Sequence, residues 1–266
     1  MSYVLSQEAV SFFMHSYFGI ALDELESDNK EAVITKCAQR AYLDLSRTLE
    51  FTEKYTDKMS VCEKRRIQGD HNRFRDEICN VVTEQIQKHL LTSDKTNFDL
   101  NHKNACKEIT CTARKSPVLN KNENGEKFYH GQAQKWLNMT MKYMWLTGLW
   151  KDEFAKLMPV IHIPVDSFII EAIWHEKFDE DSNGWINQDS VKKLSVVLPC
   201  KNERVKNEKR RYKYASEKVK AWSQWDYKEY EDFQISLRKW CESQKTIPLL
   251  WEGPAWIEIS NQRSSS

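Results

Sequence analysis

The sequence predicts an all-α fold, read as a two-lobed helical domain with a central hairpin-helix and a C-terminal extended strap. Three observations lead there. Only seven glycines and six prolines occur among 266 residues, too few for a turn-rich β fold. Apolar residues recur with the helical period along most of the chain. No GxGxxG and no Walker-type GK[ST] is present, which removes the usual nucleotide-binding α/β enzymes. At 40% hydrophobic residues the chain can bury a sizeable core.

In order, the first helix carries Val10, Phe12, Phe13, Tyr17 and Ile20 on one side. The second has a clear stripe of Val33, Ile34, Cys37, Ala38, Ala41, Tyr42, Leu45 and Leu49. A third spans about Lys58 to Leu91, with a break expected at Gly69 and an apolar side of Val81, Val82, Ile86 and Leu90. A short helix is expected around Ala105, Cys106 and Ile109. The polar stretch Lys115–Glu126, with Pro117 and Gly125, reads as a linker. It sets the expected lobes at residues 1–115 and 116–266. After the central stretch come a helical segment ending at Pro199 and a helix with Tyr227, Tyr230, Phe233, Leu237 and Trp240 on one face. Ile247–Ile257, with Pro248, Gly253 and Pro254, reads as too broken for a helix and is expected to be the strap. The serine-rich end is expected to be disordered.

Charge is nearly balanced, with a formal net of +1, so bulk electrostatics do not announce a polyanion partner. Locally, Lys201–Lys220 holds nine basic residues against Glu203, Glu208 and Glu217, read as a solvated helix face. Seven scattered cysteines without a CxxC pair, and no signal-peptide pattern, point to free thiols in a cytoplasmic protein. His102, Cys106 and Cys111 lack an evident fourth ligand, so no metal or cofactor is expected. Asp179–Ser190 follows the start of an EF-hand loop, but position 12 is Ser190. Without the bidentate glutamate, tight calcium binding is not expected. No apolar run is long enough for a membrane span.

The central stretch runs from Phe128 to Trp174. Gly131 opens the polar turn Gly-Gln-Ala-Gln-Lys, and a helical pattern proceeds from Lys135 through Leu137, Met141, Met144 and Leu149. Further on, Ile163-Pro164-Val165-Asp166 precedes the apolar run Phe168-Ile169-Ile170. Pro164 extends the residue before it, which places Asp166 at a helix N-cap. The plain reading makes Lys135 a solvated first-turn lysine and Asp166 a cap. However, a cation at that end opposes the helix macrodipole.

A glycine turn, a lysine at the head of a helix and a later Pro-Val-Asp opening another helix resemble the helix-hairpin-helix DNA glycosylases. The seven-residue spacing of Lys135 and Lys142, and the 31 residues from Lys135 to Asp166, resemble the archaeal-type 8-oxoguanine DNA glycosylases within that superfamily. Two departures stand out. Ala133 replaces the usual second hairpin glycine, and the iron–sulfur cysteine cluster of some relatives is missing. The resemblance implies a base-excision glycosylase/lyase acting as a monomer on duplex DNA with a damaged base. Lys135 would attack the sugar of a flipped-out nucleotide, and Asp166 would assist. Gly131, Gln132 and Gln134 would hold a phosphate with Lys142 in support, and Trp136 and Trp174 would stack on the base.

Two other readings compete. Arg66 and His71 have the spacing of the Arg-x4-6-His ribonuclease motif of the all-helical HEPN domains, suited to acid–base transfer on an RNA 2′-hydroxyl. The third is a non-catalytic helical module for nucleic acid or protein. A cleft built on Arg66 and His71 would favour the ribonuclease.

Overall fold

The computed structural model describes residues 7–26, 29–121, 125–176, 196–199 and 219–264. The EF-hand-like loop 179–190 and residues 201–218 of the basic segment lie outside them. Among the described residues there are ten α-helices and no strand, only one antiparallel bridge between Phe51 and Leu119. The fold is therefore all-α. No helix of the described residues is long and apolar enough to cross a membrane. The chain divides into two compact units, residues 1–128 with 132–157 and residues 129–131 with 158–266.

The first unit holds α1 (Gln7–Phe18), α2 (Leu22–Glu26), α3 (Lys30–Leu45), α4 (Val61–Gln85) and α5 (Phe98–Lys115). Most of α6 (His130–Thr147), and α7 (Lys151–Leu157), complete it. Helix α3 buries the stripe its period predicts: Val33, Ile34, Cys37, Ala38, Ala41 and Leu45. Each large aliphatic in such a position contributes about 1.5–3 kcal/mol. Helix α1 turns the other way from expectation. Met14 and Phe18 are buried, while Val10, Phe12, Phe13 and Tyr17 are exposed, because neighbouring rows of apolar residues compete for one core-facing stripe.

Helix α4 starts at a capping box, Ser60 with Glu63, and runs unbroken through Gly69, whose Cβ position opens into free space. Flanking turns thus carry a residue whose cost is about 1 kcal/mol. The helix ends in a π-turn, Ile86–Leu90. The expected linker belongs to this unit. Thr52 N–H donates to Val118 O and Asn120 N–H to Glu50 O, both at 2.8 Å. Arg114 reaches Phe128 O at 2.8 Å and Lys127 Nζ reaches Ser116 O at 2.8 Å. The unit boundary therefore does not fall at 115/116.

The second unit holds α8 (Ser167–Glu176), α9 (Tyr227–Ser243) and α10 (Pro248–Ser264). Before α8, the segment from Ile161 to Val165 is buried, with no sheet among the described residues to pair with. Gln234 substitutes for a strand: its amide donates to Ile163 O at 2.8 Å, and its oxygen accepts Ile163 N–H at 3.3 Å. That satisfies two backbone groups that would otherwise be costly to bury. Helix α9 begins at a capping box of Asp226 and Glu229 and buries Tyr230, Phe233 and Leu237.

The expected strap is instead helix α10, packed on α8. Pro248 occupies its first position, where the missing N–H costs nothing. Pro254 is exposed, and so is Leu250, whose carbonyl loses its donor on the side where water can replace it.

Candidate functional site

Helix α6 begins at His130, so Lys135 is its sixth residue and not its first. The macrodipole fades within the first turn and does not account for this lysine. Every residue from Gly131 to Thr140 is buried, and Lys135 itself is only 4% exposed. The solvated-lysine reading is therefore ruled out. An ordinary helix with no exposed face is apolar all round. This one carries Gln132, Gln134, Lys135, Asn138 and Thr140 in that run.

Gly131 is not the tip of a hairpin. Its N–H donates to Trp225 O at 3.0 Å, and a Cβ there would stand 2.0 Å from Trp222 O. Gln132 gives its amide to Thr48 O at 2.8 Å and Thr48 Oγ1 at 3.3 Å. These groups were expected to hold a phosphate and are already engaged within the protein. Trp136 is fully buried, with its indole N–H on Ala38 O at 2.9 Å and its ring beside Tyr42 and Phe74. It is a core residue and not a free stacking surface. Lys142 is half-buried.

A polar chain joins α5 to α6. Asn138 Nδ2 donates to Gln134 Oε1 at 3.1 Å, so the Asn138 oxygen is left to accept from His102 Nε2 at 2.7 Å. On the other side, His102 Nδ1 stands 3.7 Å from Cys106 Sγ. Burial pushes the Cys106 thiol well above its usual range, so it keeps its proton and can donate to Nδ1. All four residues are buried. The sequence hinted only at the pair one turn apart, His102 and Cys106, and read it as an incomplete metal corner. Its role is a hydrogen-bonded bridge to α6. Among the described residues no group of three or more metal-ligating side chains is gathered.

Lys135 lies in the first unit and Asp166 in the second. Asp166 caps α8 as expected: Oδ1 accepts from the N–H groups of Phe168 at 2.9 Å and Ile169 at 3.0 Å. Its other oxygen, Oδ2, takes the indole N–H of Trp256 at 3.3 Å. The Trp256 ring stacks on Phe168 with centroids 4.7 Å apart, and the Arg263 guanidinium lies over Phe168 at 4.2 Å. Trp174 is buried, 4% exposed. The aromatic beside the aspartate is therefore Trp256, which sequence reasoning missed. The spacing of Leu249, Glu252, Trp256, Ile259 and Arg263 was the available signal.

Arg66 and His71 do share a site. They line a cavity of about 300 Å³ together with the charged Arg73, Glu53, Asp70 and Glu77 and the apolar Ile67 and Phe74. Burial lowers the His71 pKa against the opposing pull of the Glu53 backbone and the Asp70 and Glu53 charges, and the imidazole stacks on Phe51 at 3.8 Å. Arg66, however, is already paired with Glu53 at 2.6 Å and Asp70 at 3.4 Å. Three carboxylates face two guanidiniums, a balance that works against a phosphodiester. Comparison with protein-family models, curated proteins and solved structures finds no match for this chain.

Proposed function

We propose that the protein is a DNA base-excision glycosylase with lyase activity, acting as a monomer on duplex DNA that carries a damaged base such as 8-oxoguanine, with Lys135 as nucleophile. One observation carries this: a lysine 4% exposed within ten consecutive buried residues of α6. Burying an ionisable amine is costly unless it is paired, and burial also disfavours its ammonium form and so favours the neutral, nucleophilic amine. A nucleophilic lysine has to be withheld from bulk water.

The chemistry needs only an amine and a carboxylate. The amine nitrogen bonds to C1′ while the glycosidic bond breaks, and the base leaves with that electron pair and gains a proton. Loss of a proton from nitrogen and opening of the sugar ring give the imine. Abstraction of a C2′ proton then expels the 3′ phosphate by β-elimination. Asp166 would stabilise the cationic sugar and carry protons, as a carboxylate can.

Borohydride reduces an imine to a stable amine, so incubation with an 8-oxoguanine duplex should yield a protein–DNA adduct. Lys135→Gln should abolish that band, and Lys142→Gln should leave most of it. Asp166→Asn should keep DNA binding and slow base release about 10²–10⁴-fold. Equal trapping by Lys135→Gln and the parent would overturn the assignment.

A further inference from the structure

We propose that Trp256 is a positioning residue for Asp166, which makes helix α10 part of the reacting site. This rests on the reading of Asp166 as the reaction's carboxylate. That carboxylate has two duties to reconcile. Oδ1 is committed to the α8 cap through two backbone amides. Those bonds hold one oxygen of the carboxylate. The Trp256 indole N–H, 3.3 Å from Oδ2, holds the other.

The donor is itself held firmly. Its ring stacks on Phe168 at an interplanar angle of 24°. Arg263 lies over Phe168 and donates to Ser167 O at 3.3 Å. Trp256 and Arg263 are seven residues apart on α10 and so share a face of that helix, while Ser167 and Phe168 open α8. The first turn of α8 is thus clasped by one face of α10. An indole N–H is a donor only. It can therefore orient a carboxylate without competing for the proton that the carboxylate carries. Asp166 and Trp256 are both only half-buried.

Trp256→Phe keeps a ring on Phe168 and removes the N–H. Single-turnover base release from an 8-oxoguanine duplex should fall about ten- to a hundredfold with the dissociation constant for that duplex unchanged. Trp256→His, which retains a ring N–H, should recover part of the rate. In an Asp166→Asn background, Trp256→Phe should cause no further loss, because the carboxylate it serves is gone. An unchanged rate in Trp256→Phe, or an equal loss in both backgrounds, would overturn the proposal and leave Trp256 a packing residue.

The contact is also read without DNA. The Trp256 indole N–H proton resonance should shift in Asp166→Ala, and a resonance that ignores that change sinks the proposal whatever the activity. A parent protein that traps no adduct and releases no base overturns the glycosylase reading, and the catalytic role of Trp256 with it.

Discussion

At the scale of single residues, the informative positions are those where polarity and burial disagree. Lys135 and His102 are in that class, and their context separates them. His102 is satisfied by Asn138 on one nitrogen and faces a thiol on the other, which is how a structural histidine is held. Lys135 stands out by its place instead, 4% exposed inside ten consecutive buried residues of α6. His71 offers a direct test by titration. Burial holds its pKa below the ordinary value of 6.5, so the folded state favours the neutral ring. Between the folded pKa and 6.5 the unfolded chain binds more protons, and stability falls as pH drops through that window. The contribution is fully present above 6.5 and gone once pH is below the folded value. Urea unfolding of the parent and of His71→Gln at pH 7.5 and 5.5 should show a smaller acid loss in the variant. Equal losses would mean that burial of the imidazole has no such effect. None of this is visible in the sequence, where Arg66 and His71 appear as a spacing and the carboxylates that occupy Arg66 lie partly in another segment.

At the scale of elements, what the sequence revealed depended on whether one face differed from the rest. Helices α3 and α9 have such a face, and their period alone identifies them and most of their buried residues. Helix α6 lacks one, since its buried run mixes Trp136 and Leu137 with Gln134 and Asn138. The pattern therefore marked Leu137, Met141 and Met144 and gave no sign that the opposite face was buried too. Local breakers misled in the other direction. Gly69 and Pro254 are each a real cost, yet α4 and α10 run through them because tertiary packing outweighs about 1–3 kcal/mol. Replacing Pro254 with alanine should restore the hydrogen bond to Leu250 O in an exposed turn. That should raise stability by about 1–3 kcal/mol, seen as a higher urea midpoint at constant slope. A lower midpoint would show that the proline is required by its surroundings.

At the scale of the molecule, neither unit is a continuous piece of chain. The first recruits residues 132–157 after the chain has entered the second at 129–131. A composition-based boundary at residue 115 could not anticipate this, because the ties that override it span long separations. Trp136 bonds Ala38, Tyr143 bonds Asp44 at 2.6 Å, and Asn138 bonds His102. A fragment of residues 1–128 lacks all three partners. It should keep far-UV helical signal but lose near-UV signal and a cooperative transition, whereas residues 1–157 should regain both. A cooperative 1–128 fragment would show that α6 is dispensable to the first unit.

The close approach at Gly131 carries a last consequence, for how freely this gene can drift. Even a methyl group there would overlap the Trp222 carbonyl oxygen, whereas open space surrounds the Cβ positions of Gly69 and Gly253. A saturation library sorted only for folded protein should return glycine alone at 131 and a broad spectrum at 69 and 253. Codon 131 would then be invariant among living descendants of the chain for a reason of fit, whatever chemistry the rest of α6 performs.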